Sequence, residues 1–299
     1  MNTIGMKRRE FISLAGRATV LGLLGRGLQA FGADGAQGRR MRLSTSSVMF
    51  DTLPIEQVCE RLARLKFDAI DIWGPFHWGG AKCDHLEDVA NRLGADGLKS
   101  LLAKHQLGVS AFTCYNGYPA KYAKLLGAIG GGEVIRSCGP QAKPGELTAK
   151  MKEFFEQLKP EADLAAENNS RLLIENHSNL LLNKPDSFKA FVDLNKNPNV
   201  GIALAPLHLQ IIGVSVEDVI AICGSQLRFF YAWQRGAGEN QLPGVGPADF
   251  VPWLKALAKI KFNGFVNPFM HHHPAPDAMA AVLAKSRQYL LDSYRQAQA

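Results

Sequence analysis

The sequence predicts a single (β/α)8 TIM barrel, and three observations predict it. Short apolar runs of strand type alternate with amphipathic runs of helix type eight times over. No linker interrupts this alternation after about residue 40. Polar and aromatic residues gather at the carboxyl ends of the apolar runs, where a closed parallel barrel carries its functional loops. With 299 residues, 46% of them hydrophobic and 20% charged, the chain can bury one large core, which excludes a disordered or fibrous class. An open doubly wound sheet would need a glycine-rich phosphate turn after the first strand, and none is there.

Taken in order, residues 1–36 read as a signal segment ahead of a barrel domain at residues 40–299. Arg8 and Arg9 precede Phe11 and Ile12, and a small, apolar run follows to Leu28, which is the pattern of a twin-arginine signal. Arg17 and Arg26 interrupt that run, so stable membrane insertion is not expected. The expectation is export by the twin-arginine machinery to the periplasm. Strands are predicted at residues 41–48, 67–73, 108–114, 133–138, 171–176, 200–205, 227–233 and 262–268. Helices are predicted at residues 54–65, 95–105, 121–129, 146–167, 185–195, 215–223, 247–259 and 277–294, several of them opened by a proline near the first turn. Right-handed crossovers close eight such units most simply into a barrel.

The formal net charge is +7, but Lys7, Arg8, Arg9, Arg17 and Arg26 face only Glu10 in the first 30 residues, so much of the excess belongs to the signal segment. No basic stripe with interleaved aromatics remains to bind nucleic acid. Cys59, Cys83, Cys114, Cys138 and Cys223 are odd in number and scattered, giving neither a disulfide framework nor a zinc ribbon, and they read as core thiols.

The stretch RLLIENHSN, residues 171–179, organises the functional end. A buried strand delivers Glu175, Asn176 and His177 together at its carboxyl end, and such groups are costly to desolvate without a ligand or network. The other strand ends supply Asp71, Trp73 and His77, then Tyr115, Arg136, His208 and Gln210. They continue with Tyr231, Trp233 and Gln234, and finally Asn267, His271, His272 and His273. No G-x-S-x-G nucleophile elbow occurs.

IENH (174–177), LAPLHL (204–209), LPGVGPADF (242–250) and VNPF (266–269) resemble, in order and spacing, the xylose isomerase-like TIM barrels of the sugar phosphate isomerase/epimerase group that includes D-tagatose 3-epimerase. The resemblance covers roughly residues 42–295. It implies proton exchange at the carbon next to a sugar carbonyl and a divalent metal held by Glu, Asp, His and Glu after strands five to eight. Glu175 matches the first of these; Ala205, Tyr231 and Asn267 stand at the other three positions, while His208 matches a substrate-contacting histidine. The resemblance also places Asp71 at a substrate-binding position.

Two readings follow. In one, Glu175, His208 and His271 form a displaced site for Zn, Mn or Fe. In the other, Glu175 and His208 act directly as general base and acid, with fixed donors such as Tyr231, Asn176 or Asn267 replacing the metal. Asp71, Trp73, His77, Asn176, His177, Gln210, Tyr231, Trp233, Gln234 and Asn267 are the expected contacts to a small sugar or keto-sugar. Isomerisation or epimerisation is the expected reaction. The alternatives are a lyase or hydrolase step on an oxidised glycoside, and non-catalytic sugar or partner binding on the same scaffold.

Overall fold

A computed structural model describes residues 40–78, 81–115 and 117–299. The signal segment expected at residues 1–36, with its cleavage point, lies outside the described residues. β1 (Arg42–Ser46) leads through a 3-10 turn, Ser47–Phe50, into α1 (Ile55–Arg64). β2 (Ala69–Trp73) is followed by a small hairpin, β3 (Phe76–Trp78) and β4 (Ala81–Cys83), then by α2 (His85–Asp88), a π turn and α3 (Gly94–His105). β5 (Gly108–Thr113), α4 (Ala120–Ala128), β6 (Glu133–Ser137), α5 (Leu147–Glu167), β7 (Arg171–Glu175), α6 (Pro185–Leu194) and β8 (Val200–Leu204) continue the alternation. The chain finishes with α7 (Pro206–Ile211), α8 (Val216–Cys223), β9 (Leu227–Ala232), α9 (Val251–Lys259), β10 (Phe265–Pro268) and α10 (Pro276–Gln298).

Eight parallel strands close in the order β1-β10-β9-β8-β7-β6-β5-β2, the (β/α)8 topology the alternation predicts. The register pairs Ser46 with Asp71, Asp71 with Ala111, Ser137 with Glu175, and Asn267 with Tyr231, so polar residues from distant segments meet at one end of the barrel. Every residue of β2 and β8 is buried, as expected for parallel strands covered on both faces. Among the described residues no helix is long and apolar enough to cross a membrane. All five cysteines are free and buried, core residues as read from their spacing.

Four of the helix-to-strand turns share one closure. Lys66, Gln106, Asn169 and Lys261 each adopt a left-handed backbone, with φ of 60°, 54°, 53° and 57°. The next residue then donates its N–H five positions back: Phe67 to Leu62 O, Leu107 to Leu102 O, Ser170 to Ala165 O and Phe262 to Leu257 O, at 2.8–3.1 Å. A non-glycine residue in this conformation costs roughly 1–2 kcal/mol. That cost is offset where the following residue is apolar and buries, as Phe67 and Leu107 do.

Three elements escape the periodicity. The hairpin and α2 are too short for a repeat to show, and α7 is a six-residue helix started by Pro206 inside a run that also reads as a strand continuation. α9 starts at Val251 instead of residue 247 because the preceding loop is tied elsewhere. Gln234 Nε2 donates to Leu242 O at 2.8 Å, and Ala248 N donates to Gln234 Oε1 at 2.6 Å. Gly246 lets that loop close, since a Cβ there would lie 1.9 Å from Asn240 O.

Candidate active site at the barrel mouth

β7 runs from Arg171 through three buried apolar residues, Leu172, Leu173 and Ile174, to Glu175, which is 7% exposed. The next residue fixes the strand end. Ala205 N donates to Asn176 Oδ1 at 2.6 Å and Asn176 Nδ2 donates back to Ala205 O at 3.2 Å, so a side chain continues the β7–β8 ladder past its last backbone pair, Glu175 with Ala203. This clamp ties the end of β7 to Ala205, the residue before α7, the short helix that carries His208.

The Glu175 carboxyl is met by a phenol: the Tyr115 hydroxyl donates to Glu175 Oε2. Tyr115 in turn bonds to the Tyr231 hydroxyl, which lies 3.5 Å from Thr113 Oγ1. Thr113 Oγ1 is 2.8 Å from Asp71 Oδ1, while Ser46 Oγ and Trp73 Nε1 donate to Asp71 Oδ2 at 2.7 and 2.6 Å. Asn267 Nδ2 donates to Ser46 Oγ at 2.9 Å, and Ser44 Oγ donates to Asn267 Oδ1 at 3.2 Å. Two buried carboxyls are thus joined through hydroxyls and, among the described residues, neither is paired with an Arg or Lys. Burial accordingly pushes Asp71 up to about 7 and Glu175 up to about 8, the Glu175 shift being reinforced by the neighbouring Asp71 charge. Tyr115 and Tyr231 are held well above the usual phenol range by burial and by these acids.

An aromatic wall completes the mouth. Trp73 stacks on Phe269 with centroids 5.4 Å apart, and meets Tyr115 and Phe76 edge-on at 5.3 and 5.0 Å. Trp233 stands edge-on to both His208, at 5.2 Å, and His271, at 4.9 Å. Its Nε1 donates to Gln241 Oε1, which also accepts from His271 N. The His208 and His177 ring centroids lie 4.1 Å apart, and among the described residues the buried His208 Nδ1 has no hydrogen-bond partner. Burial, with imidazoles nearby, lowers His208 to about 3 and His271 to about 4; burial alone lowers His177.

The structure therefore brings Glu175, His177, His208, His271, Asp71, Trp73, Tyr231, Trp233 and Asn267 to one end of the barrel through a continuous chain of contacts. Asn176, Gln234 and Asn267 are fully buried with their amides engaged by the protein's own groups. Gln210 Oε1 accepts from Arg235 N. His77 sits exposed on the hairpin, 3.5 Å from Asp84, and Arg136 pairs with Glu161. His273 lies 3.7 Å from Asp51. Ser46, Thr113 and Gln241 are mouth residues that the sequence reading missed. Serine and threonine within strands look like ordinary strand formers, and only the period-two placement of Ser44 and Ser46 on one face of β1 signals an inward polar row. A groove of about 470 Å3, lined by Asp51, Leu53, Lys82, Asp84, His85 and Arg92 among others, contains none of the expected site residues.

The xylose isomerase-like TIM barrel family model matches residues 59–290. The chain belongs to the xylose isomerase-like TIM barrels. Solved structures of the same fold include the E. coli 3-keto-D-glucoside 4-epimerase YcjR in its apo form, at 15% identity and TM-score 0.66, covering 83% of this chain and 100% of that one. D-psicose 3-epimerase in the presence of D-fructose matches at 16% identity and TM-score 0.63, over 86% of this chain and 98% of the other. The IolI protein with a zinc atom bound matches at 14% identity and TM-score 0.67, over 86% and 99%. No curated protein sequence matches the chain.

The residues at this mouth do not fit a metal of the family kind. Ala205 and Asn267 offer no anionic ligand, and among the described residues the expected relocated set of Glu175, His208 and His271 is not arranged to hold a metal ion. Glu175 is engaged by Tyr115, His271 is packed against Phe76, Trp233 and Phe269, and the Trp233 ring contacts both imidazoles. Among the described residues no group of three His, Cys, Asp or Glu is arranged to hold a metal ion.

The shifted groups set a pH dependence of stability. Asp71 and Glu175 hold protons that the unfolded chain releases from its ordinary values of 3.8 and 4.5, so their contribution is lost as pH rises through about 7 and 8. His208 and His271 stay neutral where the unfolded chain protonates near 6.5, so theirs is lost on acidification below that value. Between about pH 4.5 and 6.5 the two pairs oppose each other; above 6.5 the acids act alone. Urea unfolding over a pH series is expected to show these four groups contributing a near-flat region and then a fall toward pH 8, of up to about 1.4 kcal/mol per pH unit for each acid.

Proposed function

We propose that the protein is a sugar isomerase or epimerase-like enzyme that moves a proton at the carbon next to the carbonyl of a keto-sugar. Glu175 serves as the acid and His208 as the base, the reverse of the roles expected from the sequence. The observation that carries this reading is the pairing of protonation states at one mouth. A carboxyl held protonated to about pH 8 by burial, and accepting from a phenol, shares the mouth with a neutral imidazole whose buried Nδ1 has no partner among the described residues. Hydroxyl donors at Glu175 supply the polarisation that a Lewis acid provides elsewhere, and the aromatic wall suits the apolar faces of a sugar ring. Solved neighbours that act on a 3-keto-glucoside and on psicose support the substrate class. Export by the twin-arginine route, read from Arg8 and Arg9, is part of the same proposal.

The test is NMR of 3-keto-glucosides and ketohexoses incubated with the protein in deuterated water after exhaustive dialysis against a chelator. Deuterium is expected at the carbon beside the carbonyl, followed by the isomer or epimer. Loss of an aglycone after that exchange would move the assignment to a lyase or hydrolase step. Saturable binding with no exchange would instead favour the non-catalytic reading, which the replacement of three family ligand positions motivates.

A further inference from the structure

We propose that Asp71 stands in the resting protein as a neutral carboxylic acid that donates from Oδ1 to Thr113, and that it is the positioning residue for the hydroxyls leading to Glu175. The inference deepens the proposed function, and it rests on the full burial of Asp71 without a cation and on the donors that already fill its Oδ2. The Oδ2 atom already receives two donors. Trp73 Nε1–H can do nothing but donate, and Ser46 Oγ takes the Asn267 amide N–H, leaving its own hydrogen for Asp71. The Asn267 orientation is set in turn by the Ser44 hydroxyl on its Oδ1. Among the described residues Oδ1 has only Thr113 Oγ1, at 2.8 Å.

The site is fully buried, and the titratable groups that sense Asp71 are Glu175, Tyr115, Tyr231 and Cys114, with no cation among them. The donors from Ser46, Trp73 and Thr113 would favour a carboxylate, but full burial with no cation beside it outweighs them, so the acid keeps its proton. With Oδ2 filled, the proton sits on Oδ1 and points at Thr113. Thr113 then turns its hydrogen toward Tyr231, Tyr231 toward Tyr115, and Tyr115 toward Glu175. Every hydroxyl in the row then points the same way, from β2 across β5 and β9 to β7.

Asparagine mimics a neutral acid but not a carboxylate, and this makes the test. In Asp71→Asn the amide oxygen can take both Ser46 and Trp73 while the NH2 group donates to Thr113; Asp71→Ala leaves all three unmatched. The expected result is that D71N unfolds in urea near the wild-type midpoint at about pH 5 and gains on wild type as pH rises toward about 7, whereas D71A is destabilised throughout. Infrared spectra at about pH 5 should lose one protonated-carboxyl C=O band in D71N, and in Thr113→Val that band should move to higher frequency as its acceptor disappears. A D71N protein that is destabilised to the same extent at every pH, or an unchanged infrared band in D71N, would overturn the proposal. Neither readout depends on turnover, so failure here is distinguishable from failure to act on keto-sugars.

Discussion

Glu175→Gln is expected to lower the rate of deuterium exchange into a keto-sugar by about 10²- to 10⁴-fold while the barrel remains folded. Glutamine keeps the shape of the carboxyl and still accepts from the Tyr115 hydroxyl, so the strand end and its hydrogen bonds survive. It cannot give up or take a proton. Because the native carboxyl stays protonated until about pH 8, the neutral amide imposes no new burial cost at pH 7, and the fall in stability above pH 6.5 should become shallower by the Glu175 share. Initial rates by NMR and urea unfolding on the same samples check both halves. An exchange rate equal to wild type would remove Glu175 from the chemistry, whatever its burial.

Trp73→Ala should be the most destabilising single change at the mouth, by about 3–5 kcal/mol in urea unfolding. The indole is 1% exposed and packs against Phe269, Phe76 and Tyr115, so its removal empties the centre of the aromatic wall. It also takes the N–H from Asp71 Oδ2. Trp73→Phe retains most of the ring packing and isolates that hydrogen bond, for which a loss of about 1–3 kcal/mol is expected. A loss below about 1 kcal/mol for the alanine variant would show that the surrounding rings collapse into the space.

Barrel strands were legible because each is a buried apolar run bounded by helix signals, and the eight observed strands fall within a few residues of the predicted ones. Glu175 and His208 were legible because a charged or imidazole side chain directly after such a run has nowhere to go but the mouth. Their protonation was not legible. It depends first on burial by the assembled mouth, and then on Tyr115, Asp71 and the imidazoles of His177 and His271, and no local pattern encodes their distances. The uses of Asn176, Gln234 and Asn267 were hidden for a different reason. An amide at a strand end reads the same whether it meets a ligand or replaces a missing backbone partner, and in this fold all three hold protein to protein.

The left-handed closures of Lys66, Gln106, Asn169 and Lys261 precede β2, β5, β7 and β10, at the opposite end of the barrel from Glu175 and His208. Architecture and chemistry therefore occupy separate poles of one molecule. Ala205, Tyr231 and Asn267, at the positions where the resemblance of the sequence implies metal ligands, lie at the pole those turns never touch, so the mouth can change without the frame being rebuilt.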